Sequence, residues 1–264
     1  MVYFVIPAYN EARNLPLLVK NTSEAMIALG HDYKIFVVND GSTDNTSELC
    51  SKFENDFPLE EIGFDENMGV DAAFKKGFSE VFDIAKDGDI IVTKEADNTS
   101  DPDILKRMIQ SIDAGSDVVL ASCFAKEGGI ENSTIDRHIL SFGANTMLKI
   151  CFPIKGVNTY SSFYRAYNAK SLKMAFEAYQ GRLLEVKGFV CMVEMVVKLS
   201  RLPLKITEVP MVLRCDMREG ASKMRRRKTI AGYLKFIGSQ MVRSRMEDRI
   251  AIEKFRAMAG FNAG

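Results

Sequence analysis

The sequence is poor in the residues that build zinc sites and disulfide frameworks. Among its 264 residues there are two histidines and no tryptophan, and the five cysteines lie far apart without a CxxC spacing. An odd number of widely spaced cysteines indicates reduced thiols in a cytosolic protein, and this pattern does not predict a zinc site. Neither histidine, His31 or His138, is assigned a chemical role.

Long apolar runs and an excess of either charge are also missing. No apolar run reaches the ~18 residues needed to cross a bilayer, and the chain begins with an apolar strand rather than with a signal peptide. The 35 basic residues balance 35 acidic ones, which argues against nucleic acid or another bulk polyanion as a partner. We therefore expect a soluble or peripheral protein.

What is present is an alternation of strand and helix patterns. Short apolar runs at 2–6, 33–38, 59–64, 90–92 and 118–121 predict strands, and the segments between them have the periodicity of amphipathic helices. Buried strands that alternate with helices predict an α/β fold, in which a mostly parallel sheet carries helices on both faces.

Local signals predict several element boundaries. Pro7 is expected to end the first strand, and a helix is expected to begin at Asn10 or Glu11. Further along, residues 135–152 have the pattern of a helix with Leu140 on its buried side.

The second half of the chain is less regular. Residues 157–167 are polar and aromatic, which predicts a strand or a loop that folds back over the sheet edge, and residues 205–213 predict a strand. Residues 187–199 predict a helix with Glu194 on an apolar surface. A buried glutamate must be paired or must face a polar cavity, so Glu194 is a candidate functional residue.

Two carboxylates lie together in the stretch at 89–102. A short predicted strand delivers Glu95 and Asp97 to a turn, and the oxygens of residues 99–101 are predicted to cap a helix that opens at Pro102. Ligands of open α/β sheets bind at such strand ends. Carboxylate oxygens there suit Mg²⁺ or Mn²⁺ holding a diphosphate. An isolated pair of this kind more often only solvates a loop, so the neighbouring motifs decide.

The motifs, taken in order, resemble those of the family 2 glycosyltransferases of GT-A fold, a Rossmann-like fold of nucleotide-diphospho-sugar transferases. They are VIPAYNEARNL at 5–15, VVNDGSTDNT at 37–46, NMGVDAAFKKGF at 67–78, EADNTSDP at 95–102, YRAY at 164–167, Glu194, ITEVP at 206–210 and EGASKM at 219–224. Within the family the chain looks most like the polyprenyl-phosphate glycosyltransferases, including the dolichol-phosphate mannose synthase type. The resemblance implies transfer of a sugar from a nucleoside diphosphate with inversion at the anomeric carbon.

The resemblance also implies a donor site and a metal site. Tyr9 offers a face for stacking on the base, Glu11 accepts from ribose hydroxyls, and Asp40 accepts from the base, although a DG sequence by itself is as often a plain turn. Glu95 and Asp97 are expected to bind Mg²⁺ or Mn²⁺. The full set of expected donor-binding residues is Pro7, Ala8, Tyr9, Glu11, Asp40, Gly41, Ser42, Asn67 and Gly69.

The chain departs from the family pattern at several positions. The family usually has aspartate where this chain has Glu95, an arginine where it has Cys123, and an acidic residue where it has Thr159. Arg137 is the next basic residue after Cys123 and is expected to bind a phosphate, unless it is only a solvated surface arginine. Glu95 keeps the carboxylate but is one methylene longer, so metal binding with an altered geometry is expected. The changes ahead of the YRAY motif, including Thr159, fall where the acceptor is expected, so they leave acceptor identity open.

The C-terminal part concentrates basic residues. By resemblance, Arg218 and Lys223 belong to a loop that closes over the donor and acceptor phosphates. Residues 225–264 are expected to form a basic amphipathic helical appendage that lies on an anionic membrane, unless they form an ordinary surface helix. We expect residues 1–224 to form the GT-A domain, with a donor-binding half at 1–122 and an acceptor half at 123–224.

The function predicted from these features is metal-dependent, inverting transfer from a UDP or GDP sugar to a polyprenyl phosphate at the cytoplasmic face of a membrane. The residues expected to carry catalysis are Asp97, Glu194, Arg137, Arg218 and Lys223. A lipid phosphate needs no general base, whereas a glycan hydroxyl acceptor would require one, for which Glu194 or a neighbour of Asp97 is the candidate. A non-catalytic nucleotide-sugar-binding protein is also compatible with the motifs, whereas a nucleotidyltransferase would have a glycine-rich N-terminal loop that this chain lacks.

Overall fold

A computed structural model describes residues 1–101, 103–220, 226–242 and 245–260. The strands are β1 (Val2–Ala8), β2 (Tyr33–Asp40), β3 (Leu59–Phe64), β4 (Ile90–Thr93), β5 (Val118–Ser122), β6 (Gly129–Glu131), β7 (Arg165–Asn168), β8 (Ile206–Pro210) and β9 (Val212–Arg214). The helices are α1 (Leu15–Leu29), α2 (Thr46–Phe53), α3 (Val70–Ile84), α4 (Ile104–Asp113), α5 (Ile135–Cys151), α6 (Ala169–Ala178), α7 (Cys191–Leu199), α8 (Arg226–Val242) and α9 (Arg245–Met258).

The central sheet has the strand order β3-β2-β1-β4-β7-β5-β8 among the described residues. Strand β7 is antiparallel to both of its neighbours, β4 and β5, and the other neighbouring pairs are parallel. A separate parallel pair is formed by β6 and β9. The predicted α/β class with a mostly parallel sheet is therefore confirmed.

Both faces of the sheet are buried, as the alternation along β1 illustrates. Val2, Phe4 and Ile6 belong to one core cluster, which packs against α1 and α4. Tyr3 and Val5 point to the opposite face and belong to a second cluster with α3, α6 and α7. Because successive side chains of a strand point to opposite faces, a continuous apolar run such as β1 requires helices on both sides.

Two predicted boundaries near the N-terminus are wrong. Strand β1 continues through Pro7 to Ala8, because pairing with β4 ends at Val5 and only β2 accompanies the strand beyond it. The missing N–H of Pro7 is therefore tolerated. Helix α1 begins at Leu15 rather than at Asn10 or Glu11, since Asn10 has a left-handed φ of 53° that a helix does not accept.

Later boundaries also differ from the predictions. Helix α4 begins at Ile104, and Pro102, where it was expected to open, lies outside the described residues. The expected single strand at 205–213 is two strands, because β8 pairs with β5 whereas β9 pairs with β6. The segment at 157–167 ends in β7 inside the sheet rather than over its edge.

The apolar face of α8 packs on the protein itself. Tyr233, Phe236 and Ile237 are buried, and the rings of Phe236 and Phe152 lie 5.4 Å apart. These three side chains are therefore not free to enter a membrane, whereas Ile230 and Leu234 are exposed, so membrane contact by α8 stays a prediction. Helix α9 packs on α6, and no helix in the described parts of the chain combines the length and apolar character needed to span a bilayer. The predicted division at residue 224 stays a prediction, although α8 and α9 contribute to the same core cluster as α3.

Candidate active site

A cleft of about 290 Å³ lies at the carboxyl ends of β1, β2 and β4. One part is polar and is lined by the ends of these three strands, by the loops that follow them and by Arg218, and parallel sheets usually bind ligands at such strand ends. The polar lining residues are Glu11, Asp40, Glu95, Asp97, Thr99 and Arg218. The other part is largely apolar and is lined by α5, by α8 and by the loops that carry Phe163 and Phe189.

The predicted donor-binding residues divide into lining and supporting groups. Those that line the cleft are Pro7, Ala8, Tyr9, Glu11 and Asp40, and those in the loops behind it are Gly41, Ser42, Asn67 and Gly69. Gly41 has φ 67°, and a Cβ there would lie 2.3 Å from the backbone carbon of Glu66. Ser42 accepts a hydrogen bond from the Asn10 N–H at 2.9 Å, so it braces the loop that carries Tyr9.

Asp40 joins the ends of β2 and β3 at the cleft. Its carboxylate accepts hydrogen bonds from the backbone N–H groups of Met68 at 2.7 Å and Gly69 at 2.9 Å. Burial raises the pKa of Asp40, and these two hydrogen bonds act in the opposite direction. Asp40 therefore shapes the start of α3 as well as lining the cleft.

Asp97 is held by the turn that follows it. Its Oδ1 accepts from the Thr99 N–H at 3.1 Å and from the Thr99 hydroxyl at 2.7 Å. Its Oδ2 forms an ion pair with the guanidinium of Arg218. Thr99 was expected to cap the next helix, but its hydroxyl orients Asp97 instead.

Glu95 lies next to this ion pair with its carboxylate tied to a second loop. Its Oε1 accepts from the Phe163 N–H at 3.3 Å. Burial raises the pKa of Glu95, while the Phe163 hydrogen bond and the charge of Arg218 lower it. Glu95, which stands where an aspartate was expected from the resemblance, is thus oriented by the loop around Phe163.

The two carboxylates fit a divalent cation shared with a substrate. Within the described residues no group of three or more His, Cys, Asp or Glu side chains forms a complete metal cage. Magnesium, however, is usually held by one or two carboxylates together with waters and substrate phosphates. The guanidinium on Asp97 Oδ2 indicates that this oxygen favours a cation.

The segment that carries Arg218 is fastened over the donor side of the cleft. The Glu219 N–H donates to Asn14 Oδ1 at 2.9 Å, and Asn14 Nδ2 donates to the Glu219 carbonyl at 3.0 Å. Arg218 thus reaches Asp97 across 121 residues of sequence. Lys223 and the side chain of Arg137 lie outside the described residues, so their predicted roles stay predictions.

Glu194 does not line the cleft among the described residues, and the structure gives it a different role from the catalytic one expected. It is fully buried in α7, where Oε1 pairs with Lys198 Nζ at 2.7 Å. Its Oε2 accepts from the N–H groups of Glu185 at 2.6 Å and Val186 at 2.7 Å. The side chain therefore holds the loop before α7.

Two aromatic rings in the apolar part of the cleft were not predicted. Phe163 and Phe189 stack with their centroids 5.5 Å apart. The Gly188 N–H donates to Asp71 Oδ1 at 2.7 Å, which anchors the loop that carries Phe189 to the start of α3. No local pattern in the sequence marks either phenylalanine as a cleft residue, because each follows from long-range packing.

Helix α5 forms another wall of the cleft, and of its predicted buried side Leu148 lies in the core whereas Leu140 faces the cleft. Leu140, Ser141, Ala144 and Asn145 line the cleft, and Leu140 remains 42% exposed. The adjacent face of α5 presents apolar side chains to solvent. These are Ile135, Ile139, Phe142 and Ile150, which are between 63% and 79% exposed.

The two departures from the family pattern on the acceptor side have clear contacts. The Thr159 hydroxyl lies 2.6 Å from the Ser122 hydroxyl, and its N–H donates to Glu208 Oε1 at 2.7 Å. Thr159 thus ties its loop to the last residue of β5 and to the middle of β8. Cys123 is half-buried, and burial raises the pKa of its thiol to about 12, so it supplies no charge near neutral pH.

Sequence comparisons place the chain among sugar transferases. Residues 3–186 match the family model for Glycosyl transferase family 2. The chain is 31% identical over 237 residues to a dolichol-phosphate mannosyltransferase of Pyrococcus furiosus, with 89% of this chain and 62% of the relative covered. It is 28% identical over 222 residues to a polyprenol monophosphomannose synthase of Mycolicibacterium smegmatis, covering 83% and 79% of the two chains. The chain therefore spans less than two thirds of the Pyrococcus protein.

Structural comparisons confirm the GT-A fold. Glucosyl-3-phosphoglycerate synthase of Mycobacterium tuberculosis, crystallised with Mn²⁺, UDP and glucosyl-3-phosphoglycerate, superposes with a TM-score of 0.57 at 15% identity, covering 100% of this chain and 81% of that one. Residues 1–349 of TarS from S. aureus, crystallised with UDP-GlcNAc, give a TM-score of 0.57 at 15% identity, covering 99% and 73%. At this level of identity the likeness concerns the fold alone.

Proposed function

The chain belongs to glycosyl transferase family 2, and from this membership we propose that it transfers a sugar from a nucleoside diphosphate to the phosphate of a polyprenyl lipid. The names of its relatives from Pyrococcus and Mycolicibacterium support a polyprenyl or dolichyl phosphate as acceptor. The observation that carries the proposal is a cleft with two unlike parts. Carboxylates and Arg218 line one part, and mostly apolar side chains, interrupted by Ser141, Asn145, Ser161 and Thr229, line the other.

The polar part suits the donor. Tyr9, Glu11 and Asp40 border the space expected for the nucleoside, and Glu95 and Asp97 would hold Mg²⁺ or Mn²⁺ beside the diphosphate. Such a cation, when bound, neutralises charge on the departing nucleoside diphosphate. The donor nucleoside is uridine or guanosine.

The chain's own residues prepare the site for a single displacement. Thr99 fixes the direction of the Asp97 carboxylate, and the Phe163 N–H fixes that of Glu95. Arg218 provides a positive charge that can move from Asp97 to a phosphate group. An oxygen of the lipid phosphate forms the new bond to the anomeric carbon while the bond to the donor diphosphate breaks. The nucleoside diphosphate leaves with the bonding electrons, and the configuration inverts.

No general base is required in this reaction, because a phosphate monoester is largely ionised near neutral pH. This fits the buried, fully bonded state of Glu194. A second candidate function, transfer to a glycan hydroxyl, is favoured by the raised pKa of Glu95 in the cleft, since a carboxylate of raised pKa suits a general base.

The exposed face of α5 supports a lipid acceptor. Its apolar side chains follow one another along a helix of 17 residues, or about 25 Å, and the neighbouring face of the same helix lines the cleft. Apolar patches of this kind are typical of surfaces that contact membranes or other proteins. We propose that this face meets the membrane that contains the acceptor. The cysteine pattern predicts that the protein lies on the cytoplasmic side of that membrane.

One assay tests the acceptor. Purified protein is supplied with UDP and GDP sugars and Mn²⁺, and with either undecaprenyl phosphate or an oligosaccharide as acceptor. Product on the lipid phosphate is expected. Product only on the saccharide would favour the second candidate, and donor binding without any turnover would favour a non-catalytic binding protein.

A vesicle assay tests the membrane surface. Phe142→Glu is expected to weaken sedimentation with anionic vesicles and transfer to long-chain lipid, because a carboxylate replaces an exposed apolar ring. Ile27→Glu is the matched control, since Ile27 is similarly exposed but lies on α1. Equal vesicle binding by all three proteins would contradict the assignment of α5.

A further inference from the structure

Arg165, the first residue of β7, is a fully buried arginine that binds two backbone carbonyls and lies beside the hydroxyl of Tyr167. Its Nε donates to the Ser162 carbonyl at 2.7 Å, and its Nη2 donates to the Tyr160 carbonyl at 2.8 Å. The third nitrogen, Nη1, is buried without a hydrogen-bond partner in the part of the chain that the structure describes. Burial of a cation without a carboxylate costs free energy, so its presence in the core calls for a specific benefit.

The benefit lies in the loop that the guanidinium holds. Residues 160–163 turn sharply in front of β7, and Ser161 and Phe163 of this loop line the cleft. The planar fork of arginine reaches two carbonyls two residues apart, which the single ammonium of lysine cannot do in the same geometry. Arg165 therefore fixes the conformation of the loop from behind the cleft.

The same loop controls the direction of Glu95. The Phe163 N–H donates to Glu95 Oε1 at 3.3 Å. On its other side, the Phe163 carbonyl accepts from the Thr93 hydroxyl at 2.6 Å. Two buried groups thus hold the peptides on either side of Phe163: Arg165 holds the one whose N–H donates to Glu95, and Thr93 holds the next.

We propose that Arg165 is a positioning residue for the cation site, acting through Phe163 on Glu95. This inference rests on the proposed function only in taking Glu95 and Asp97 as the residues that would hold a divalent cation. Groups that orient metal-binding side chains typically change metal affinity about 10- to 100-fold when they are removed. Arg165→Lys is therefore expected to weaken Mn²⁺ binding by at least about 10-fold.

The test measures bound metal directly. Wild-type protein and Arg165→Lys are titrated with Mn²⁺ in the presence of UDP or GDP, and free Mn²⁺ is followed by electron paramagnetic resonance. Arg107→Lys is the matched control, because Arg107 also donates to a backbone carbonyl, that of Pro210 at 2.9 Å, but is exposed. The control is expected to bind Mn²⁺ as the wild type does.

A double-mutant cycle separates positioning from general destabilisation. If Arg165 acts through Glu95, then Arg165→Lys has no further effect on Mn²⁺ affinity once Glu95→Gln has removed the oriented carboxylate. Additive losses in the double variant, or unchanged affinity in Arg165→Lys, would overturn the proposal.

A second variant covers the case in which Arg165→Lys does not fold. Thr93→Val removes the other hydrogen bond that holds Phe163 without changing a charge, and it is expected to weaken Mn²⁺ binding in the same direction. A Thr93→Val protein with normal Mn²⁺ affinity, or a wild type that binds no Mn²⁺, would contradict the proposal. If Mn²⁺ affinity depends on Arg165 and Glu95 as expected but no sugar is transferred to the lipid, only the proposed acceptor is rejected.

Discussion

Replacement of Glu194 by glutamine decides between the two roles considered for this residue. The carboxylate is fully buried and pairs with Lys198, which is 1% exposed, so the change leaves a buried ammonium with less compensation. Removing one partner of a buried ion pair destabilises proteins by about 3–5 kcal/mol. Lys198 keeps the Glu185 carboxylate at 2.9 Å and the Arg182 carbonyl at 2.5 Å, which places the expected loss near the lower limit.

The expected effect on stability is large enough to measure by thermal unfolding. A loss of about 3 kcal/mol corresponds to a fall in Tm of about 6–12 °C, at roughly 2–4 °C per kcal/mol for a chain of this size. Below the transition, kcat for lipid transfer is expected to stay within a few-fold of the wild-type value, because the partners of Glu194 among the described residues, Lys198, Glu185 and Val186, do not line the cleft.

The chain offers a matched control and a rescue. Glu80 and Lys76 form the same type of i,i+4 pair at the surface, so Glu80→Gln is expected to change stability by less than about 0.5 kcal/mol. Adding Lys198→Met to Glu194→Gln removes both charges and is expected to recover part of the lost stability. An unchanged Tm together with a large loss of kcat would refute the structural role and restore Glu194 as a catalytic group.

Three further predictions test other parts of the structure. Asp97→Asn is expected to lower transfer at least ~100-fold and to weaken Mn²⁺ binding, because several kcal/mol of charge stabilisation are lost; activity that persists with chelator present would contradict the assigned centre. Gly77→Ala is expected to lower the free energy of unfolding by about 1–3 kcal/mol, because the added Cβ would lie 2.3 Å from Val5 Cγ1. In the control Gly143→Ala, in α5, the added Cβ meets nothing within 4 Å, so this change is expected to be neutral or stabilising. Calorimetry measures both effects. At pH 8 the exposed Cys151 is expected to react with a thiol reagent while Cys50 does not, since burial raises the pKa of Cys50 to about 12; rapid labelling of Cys50 in mass spectra of the native protein would contradict the packing around α2.

The sequence predicts the first half of the fold well because its signals are local. The apolar runs that form β1 to β5 and the helices between them have the expected periods, and Asp40 and Asp97 follow strands whose ends meet at one edge. The predicted strand end at Pro7 is wrong because tolerance of this proline depends on where β4 stops pairing, which is a property of the neighbouring strand.

The second half depends on contacts that no local pattern encodes. The position of β7 between β4 and β5, the Arg218–Asp97 ion pair and the stacking of Phe163 on Phe189 each join segments that are distant in sequence. Glu194 is different, because a local signal for its structural role does exist. Glu194 and Lys198 have the i,i+4 spacing of a helical ion pair, which indicates that the carboxylate is paired.

The insertion of β7 has a consequence for how the chain is made. Within the described residues strands β4 and β5 are not neighbours in the sheet, because β7 lies between them and pairs with both, with registered partners as late as Asn168. Before β7 has been synthesised, β4 and β5 expose unpaired strand edges, and such edges can pair with other chains. We therefore expect truncations that end before residue 165 to aggregate, and chaperones to engage the protein until β7 has emerged.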